Sequence, residues 1–263
     1  MSEVLRVSRE RGVAQVTLNR PEVRNAFNAE LIATLAWTFE AFAEEPPDGL
    51  RAVVLAGAGE VFCAGADIEW QRASIGLSME ENEADAGRLQ EMLIAIDDCP
   101  VPVVAAVQGA ALGGGMALCC VADITLAAAD ATFGFTEVKL GLMPAVISPF
   151  VLSRMGEGAA RAHFLTGERF GSEEALRIGL VSEVVPDQAG LDARVVALLG
   201  EILSAGPEAT RNAKAVIRDQ RTLSRTEARA LTVKRAARQR VSAEGQEGLG
   251  AFLDKRSPSW REE

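Results

Sequence analysis

Residues 103–128 read VVAAVQGAALGGGMALCCVADITLAA, and this stretch decides the fold. Residues 103–107 form a continuous run of small and branched apolar side chains, which is typical of a buried strand. The three glycines that begin at Gly113 then open a short helix that runs through Cys120, and residues 123–128 predict a further strand. A strand, a helix and a second strand in this order indicate a βαβ unit with parallel strands.

The chain on either side of this stretch follows the same alternation of strands and helices. Residues 4–9 and 13–18 are two short strand-like runs separated by a glycine-containing turn, which predicts a hairpin. Asn28 is placed to cap a helix, and Ser78 with Glu81 forms the capping-box pattern of another. We therefore expect an α/β fold in which helices cover a largely parallel sheet.

The last 70 residues have a different pattern, which is helical throughout from about residue 188. Pro207 stands where a helix is expected to begin, and residues 211–221 and 226–241 are amphipathic. These observations divide the chain into a core at residues 1–190, which would carry the active site, and a helical region at residues 191–263, which would serve packing or oligomerisation.

Composition and charge exclude several classes of protein. The chain has 263 residues, is 48% hydrophobic and carries a formal net charge of −10 without a run of basic residues, so we expect a large core and no nucleic-acid binding. It contains neither a signal-peptide pattern nor an apolar stretch long enough to span a membrane, which predicts a cytoplasmic protein that does not interact with membranes.

The histidine and cysteine content argues against a metal or redox cofactor. His163 is the one histidine, so a two-histidine metal site cannot form within one chain, and we expect this residue to be structural. The four cysteines form no C-x-x-C pair and are interpreted as buried, reduced thiols.

Three glycine- or acid-containing segments are candidates for chemistry. They are residues 62–68, FCAGADI, residues 111–118, ALGGGMAL, and residues 132–141, TFGFTEVKLG. Three glycines at a helix start leave backbone N–H groups free, and the helix dipole there favours negative charge, as an oxyanion hole requires. Taken singly, the glycines could equally serve packing, and Glu137 could equally be a surface carboxylate.

Together, these segments resemble the crotonase superfamily, which contains enoyl-CoA hydratases and isomerases. The resemblance covers nearly the whole chain in family order. It includes VTLNRP at 16–21, the segments at 62–68 and 111–115, LTGE at 165–168 and FLDKR at 252–256. It implies a crotonase-like spiral of ββα and βαβ turns with a helical C-terminal trimerisation region, and hence a homotrimer or a dimer of trimers.

The resemblance also implies the partners and the roles of individual residues. The substrate would be an acyl-CoA thioester, with coenzyme A as part of the substrate and no separate cofactor. The N–H groups of Ala66 and Gly114 would form the oxyanion hole, and Glu137 would be the catalytic residue. Lys255 or Arg256 would approach the nucleotide phosphates. The remaining substrate-binding positions would be Arg24, Ala26, Ala64, Gly65, Asp67, Ile68, Ala110, Leu112 and Gly113.

One position departs from the family pattern. Hydratases of this family usually carry a second glutamate where this chain has Ala117, so a mechanism shared between two carboxylates loses one member. Three alternatives remain: a hydratase of a short or branched 2-enoyl-CoA that uses Glu137 alone or with another acid, a Δ3-Δ2 enoyl-CoA isomerase, and an acyl-CoA-binding protein with little activity. Residues 67–70 and 137–149 resemble a methylglutaconyl-CoA hydratase-like branch in which the first glutamate can be missing.

Two further expectations concern the surroundings of Glu137. An apolar pocket lined by Phe133, Phe135 and Leu140 would raise the pKa of its carboxyl group and suit it to proton transfer. The candidate acids to replace the missing glutamate are Asp67, Glu69, Glu80, Glu81 and Glu83, of which the first two are interpreted as structural or solvated.

Overall fold

The main sheet has six strands, and all neighbours except the first pair are parallel. The computed structural model describes residues 4–261. The sheet order is β1-β2-β3-β4-β6-β9, and the predicted antiparallel hairpin of β1 and β2 is present at its edge. The strands are β1 (Leu5–Glu10), β2 (Val13–Leu18), β3 (Ala52–Gly57), β4 (Val103–Val107), β6 (Ile124–Ala128) and β9 (Glu183–Val185).

A second, smaller sheet stands beside the first and carries the segments predicted to hold the chemistry. Its order is β5-β7-β8, with β5 and β7 parallel. The strands are β5 (Ala110–Leu112), β7 (Thr132–Gly134) and β8 (Phe170–Gly171). The chain passes from β4 directly into β5, so the two sheets are joined at the end of the buried central strand.

The helices begin where local sequence signals place them. Asn28 accepts a hydrogen bond from the Leu31 N–H, and both halves of the capping box between Ser78 and Glu81 are formed. The helices are α1 (Ala29–Ala43), α2 (Ile68–Ser74), α3 (Met79–Asp97), α4 (Gly114–Val121), α5 (Ser148–Thr166), α6 (Ser172–Arg177), α7 (Gln188–Ser204), α8 (Pro207–Asp219), α9 (Arg225–Val241) and α10 (Ala243–Leu253), with short 3-10 helices at Pro21–Val23 and Glu137–Leu140.

The core forms on both faces of the main sheet because successive side chains of a strand point to opposite sides. Val103, Ala105 and Val107 of β4 belong to the large cluster that includes α1, α3 and α4. Val104 and Ala106 belong to a smaller cluster under α7. All five side chains of β4 are buried, which explains why its sequence is uniformly apolar instead of alternating.

The helical C-terminal region is attached to the sheet by packing and by a half-buried ion pair. Leu191 of α7 is fully buried in the smaller cluster. Lys214 of α8 lies 2.6 Å from Asp123 and also donates to the Val101 carbonyl. The division at residue 190 stays a prediction, and the helix that spans it packs on the core. No helix within residues 4–261 is long and apolar enough to cross a membrane.

Candidate active site

Glu137 is held in a half-buried position with one oxygen left unpaired. It begins the 3-10 helix Glu137–Leu140, which follows β7 in the chain. Strand β7 is paired with β5. Its Oε2 atom is buried and has no hydrogen-bond partner among residues 4–261. Burial raises the pKa of the Glu137 carboxyl group above its usual value, and a hydrogen bond from the residue's own backbone N–H opposes this only in part. The carboxyl group is therefore suited to accept and return a proton.

The carboxyl group of Glu137 lies directly against Gly113. A Cβ atom at this glycine would stand 3.3 Å from Oε1 of Glu137. Gly113 also has φ +50° and ψ −117°, a conformation that side-chain-bearing residues rarely adopt. Glycine at 113 thus leaves room for the carboxylate and turns the chain into α4.

The two predicted oxyanion donors have free N–H groups. In the described part of the chain, neither Ala66 nor Gly114 donates its backbone N–H to a protein acceptor. Gly114 is the first residue of α4, where helix geometry leaves the N–H without an internal partner and where the dipole favours an anion. Two neutral donors of this kind can stabilise a developing enolate oxygen.

Close approach of two backbone segments brings the donors together. Cys63 and Ala111 form an isolated parallel bridge, which ties the loop after β3 to β5. A Cβ at Gly65 would stand 2.8 Å from the Leu112 carbonyl oxygen, and one at Gly115 would stand 2.4 Å from the Cys63 carbonyl oxygen. Glycine is required at both positions because the two backbone segments lie too close together for a side chain to fit between them.

A polar network fixes the loop that precedes α1 against the loop that carries Ala66. Asn25 is fully buried, has φ 57° and donates to the carbonyls of Ala58 and Val61. Arg20 donates to the Ala26 carbonyl and forms a 2.8 Å ion pair with Asp67. No local sequence pattern predicts this network, because its members are up to 47 residues apart.

With this geometry established, comparison with known proteins decides the family. The sequence model described as enoyl-CoA hydratase/isomerase matches residues 8–263. The chain belongs to the enoyl-CoA hydratase/isomerase family of the crotonase superfamily. It is 33% identical to a putative enoyl-CoA hydratase of Thermus thermophilus over 246 residues, which are 94% of this chain and 96% of that protein.

Solved structures of the family share the whole fold. Pseudomonas aeruginosa AtuE superposes with a TM-score of 0.95 at 36% identity, covering 99% of this chain and 100% of that one. The crystal structure of an enoyl-CoA hydratase from Shewanella pealeana gives a TM-score of 0.92 at 38% identity, covering 98% of this chain and 96% of that one. The predicted crotonase-like fold is therefore confirmed, whereas the methylglutaconyl-CoA branch stays a prediction.

The substrate-binding positions expected from the family resemblance lie on the segments around the two donors. Ala64 donates its N–H to the carbonyl of Arg24, whose side chain is exposed, and Ala26 is buried beside them. The other predicted positions are Gly65 and Asp67 on the loop into α2, Ile68 at the first position of α2, Ala110 and Leu112 on β5, and Gly113 at the start of α4. Their contacts with a substrate stay predictions.

Two expectations about the surroundings of the family site are altered by the structure. Phe133 and Phe135 are fully buried, but Leu140 is 65% exposed, so it does not form a buried wall at Glu137 in this chain. Arg256, expected near the nucleotide phosphates, forms a two-pronged ion pair with Glu247. Lys255 forms no ion pair within residues 4–261, and its approach to the nucleotide phosphates stays a prediction.

The acids considered as replacements for the missing family glutamate are either bound to other groups or exposed. Burial raises the pKa of Asp67, but the hydrogen bonds from Arg20 and from the Glu69 N–H outweigh it and hold that pKa below its usual value. Glu69 is exposed and pairs with Arg72, while Glu81 caps α3. Glu80 and Glu83 are exposed on the same helix. Ala117 itself is fully buried.

A groove of about 780 Å³ at the opposite ends of the parallel strands is separate from this site. Arg51 and Arg261 line it, and both donate to carbonyl oxygens at the end of α7, as does Trp260. These groups satisfy the last carbonyls of a helix, which carry partial negative charge. The basic and aromatic side chains of the groove therefore serve to stabilise the C-terminal end of α7.

His163 packs against neighbouring side chains, and its structural role stays a prediction. Its ring packs on Phe170 with the ring centroids 4.1 Å apart, and Nε2 lies 3.6 Å from Glu174. It lies on α5.

Proposed function

We propose that this protein is an enoyl-CoA hydratase that adds water to a short or branched 2-enoyl-CoA with Glu137 as its single catalytic carboxylate. The observation that carries the proposal is the half-buried Glu137 carboxyl group, whose Oε2 atom has no partner in the described part of the chain. This group lies beside Gly113, next to the free N–H of Gly114. Relatives that are named enoyl-CoA hydratases at 33–40% identity support the reaction class.

In the proposed mechanism, Glu137 moves one proton and the backbone holds the charge. The ionised carboxylate accepts a proton from water as the water oxygen bonds to C3 of the substrate. The electrons of the C2–C3 double bond shift onto the thioester oxygen, where the N–H groups of Ala66 and Gly114 stabilise the enolate. Glu137 then delivers its proton to C2, which restores the carbonyl and the ionised carboxylate.

A single carboxylate suffices because it is a base before the proton transfer and an acid after it. The raised pKa of Glu137 strengthens the carboxylate as a base towards water. Ala117 has no proton to move, and Asp67 is committed to Arg20. The proposal therefore assigns both proton steps to Glu137.

A Δ3-Δ2 enoyl-CoA isomerase is the second candidate, and the buried Ala117 favours it. Moving a double bond requires one base that takes a proton from C2 and returns it to C4, without water. The same two N–H donors would stabilise the same enolate.

The deciding experiment supplies 2-enoyl-CoA and 3-enoyl-CoA esters to the wild type, to Glu137→Gln and to Glu40→Gln. Glu40 is an exposed glutamate on α1 and is the matched control. Loss of the 2-enoyl chromophore in the wild type and the control, but not in Glu137→Gln, is expected for the hydratase. Conversion of 3-enoyl to 2-enoyl ester without hydration would instead establish the isomerase. Equal binding without turnover in all three proteins would contradict both and favour an acyl-CoA-binding protein.

A further inference from the structure

We propose that Phe27 is a positioning residue that sets the spacing between the two oxyanion donors at Ala66 and Gly114. This inference rests on the proposed function, since the spacing matters only if both N–H groups bind one oxygen. Phe27 lies in the short segment between Asn25 and the cap of α1, and its side chain is 1% exposed. It belongs to none of the segments that carry the donors or Glu137.

The backbone of Phe27 holds the first donor segment. Its N–H donates to the Gly65 carbonyl at 2.7 Å, and its carbonyl accepts from the Asp67 N–H at 2.8 Å. These two bonds lie on either side of Ala66, with which Phe27 forms a parallel bridge. In that pattern the N–H of Ala66 points away from Phe27, so it stays free for a ligand.

The ring of Phe27 holds the second donor segment. A Cβ atom at Gly114 would stand 2.7 Å from both Cδ2 and Cε2 of the Phe27 ring. The ring edge therefore rests on the Cα of Gly114 with no space for a methyl group between them. One residue thus contacts both donor segments, one through its backbone and the other through its ring.

Shortening the side chain at 27 should let the start of α4 move relative to Ala66. Preorganised donors lose their effect when they leave the position of the developing oxyanion, and a displacement near 1 Å costs on the order of 100-fold in rate. We expect Phe27→Leu to lower kcat by roughly tenfold or more, with a smaller change in KM because the coenzyme contacts are retained.

The control for lost packing is Phe39→Leu. Phe39 is as deeply buried as Phe27 but lies on α1, where its ring packs edge-on against Phe42. Both variants should lose folding stability to a similar extent, while Phe39→Leu keeps the kcat of the wild type. An equal fall of kcat in both variants would mean that Phe27→Leu acts only by destabilising the fold. That result would overturn the proposal.

A size exchange tests the contact directly. Gly114→Ala keeps the N–H donor but places a methyl group against the Phe27 ring, so its kcat should fall. Adding Phe27→Leu to Gly114→Ala makes room for the methyl group and should restore part of that loss. A double variant with a kcat no higher than that of Gly114→Ala alone would contradict the contact.

The final readout is the infrared stretch of the substrate's thioester carbonyl, isotope-labelled and bound to each protein. An oxyanion hole polarises this bond and lowers its frequency. We expect a lowered frequency in the wild type and in Phe39→Leu, and a frequency closer to that of the free ester in Phe27→Leu. A wild type without any lowering would overturn the oxyanion hole itself, whereas an unchanged lowering in Phe27→Leu would overturn only the role of Phe27.

Discussion

At the scale of a residue, burial of the Glu137 carboxylate lowers the stability of the folded protein and makes that carboxylate a stronger base. Its folded-state pKa is raised, so the native protein binds this proton more tightly than the unfolded chain does. The unfavourable contribution is absent at low pH and develops as the pH rises from the unfolded pKa through the raised folded pKa. A carboxylate held in this way is a stronger base, which is the property that the proposed reaction uses.

We therefore expect Glu137→Gln to be more stable than the wild type at neutral pH. Glutamine has a similar shape and carries no charge to desolvate, so the difference should shrink as the pH falls through the raised folded pKa of Glu137 and vanish below the unfolded pKa of glutamate. The melting temperature across a pH series measures this, with Glu40→Gln as the exposed control. A Glu137→Gln variant less stable than the wild type at neutral pH would argue that the carboxylate has a stabilising partner.

The same residue sets the expected pH dependence of turnover. The ionised form of Glu137 is the active base, so kcat/KM should fall on the acidic side with an apparent pKa above the usual glutamate value. Glu137→Gln should lose roughly 100-fold or more in kcat. Initial rates between pH 4 and 8 would test this, since an acidic limb at or below the ordinary glutamate pKa would contradict a desolvated base.

At the scale of an element, α4 carries one donor at its first residue and lacks an acid one turn later. Residues 114 and 117 are three positions apart and lie on the same side of the helix. An acid at 117 would thus project beside the segment that begins at Gly114, which is where a hydratase with two carboxylates would use it. Ala117 is fully buried, so a longer side chain there needs local space.

Ala117→Glu should raise the rate of hydration of a simple 2-enoyl-CoA if the site is otherwise that of a hydratase. The buried carboxyl group should also lower the free energy of unfolding by about 1–3 kcal/mol. Ala117→Gln is the matched variant, because it adds the same volume without an acid. Steady-state rates together with urea unfolding of both variants separate the two effects. A gain in rate with glutamine, or none with glutamate in a folded protein, would count against a latent two-carboxylate site.

Elements governed by neighbours in sequence could be predicted, and those governed by distant partners could not. The cap at Asn28, the capping box at Ser78 and the helix start at Pro207 are local, and all three are confirmed. Helix α2 was missed because none of its residues is buried, so it has no apolar periodicity to detect. It begins at Asp67, whose side chain caps it while binding Arg20 from 47 residues away.

The candidate site shows the same division. The glycines and Glu137 were found because the family resemblance fixes their order in the chain. The exposure of Leu140 and the contact of Phe27 with Gly114 depend on how separate segments pack, and no local pattern encodes either. The close approaches at Gly65 and Gly115 explain afterwards why those positions are glycine.

At the scale of the molecule, the C-terminal helices are fastened to the core by a small number of directed contacts. Lys214 of α8 binds Asp123, which also accepts from the Val103 N–H at the start of β4. Arg211 donates to the carbonyls of Glu45 and Leu50 near the end of α1. Helices α8 and α9 have no buried residue in the single chain, which fits the predicted trimer without testing it.

Replacing Lys214 should loosen this attachment. Lys214→Met keeps the apolar stem and removes the charge, which leaves a half-buried Asp123 without its partner and should cost about 2 kcal/mol of unfolding free energy. Lys234→Met, at an exposed position of α9, is the control. Equal urea midpoints for the two variants would mean that the ion pair contributes little to holding α8 on the sheet.

The most direct test of the account is to follow deuterium at C2 of an enoyl-CoA substrate during turnover in D₂O. The wild type and Glu40→Gln should both incorporate solvent deuterium at C2 as product forms. Glu137→Gln should bind the ester with a similar Kd and incorporate deuterium at least about 100-fold more slowly. Incorporation by Glu137→Gln at the rate of the wild type would contradict the claim that Glu137 carries the proton beside the enolate.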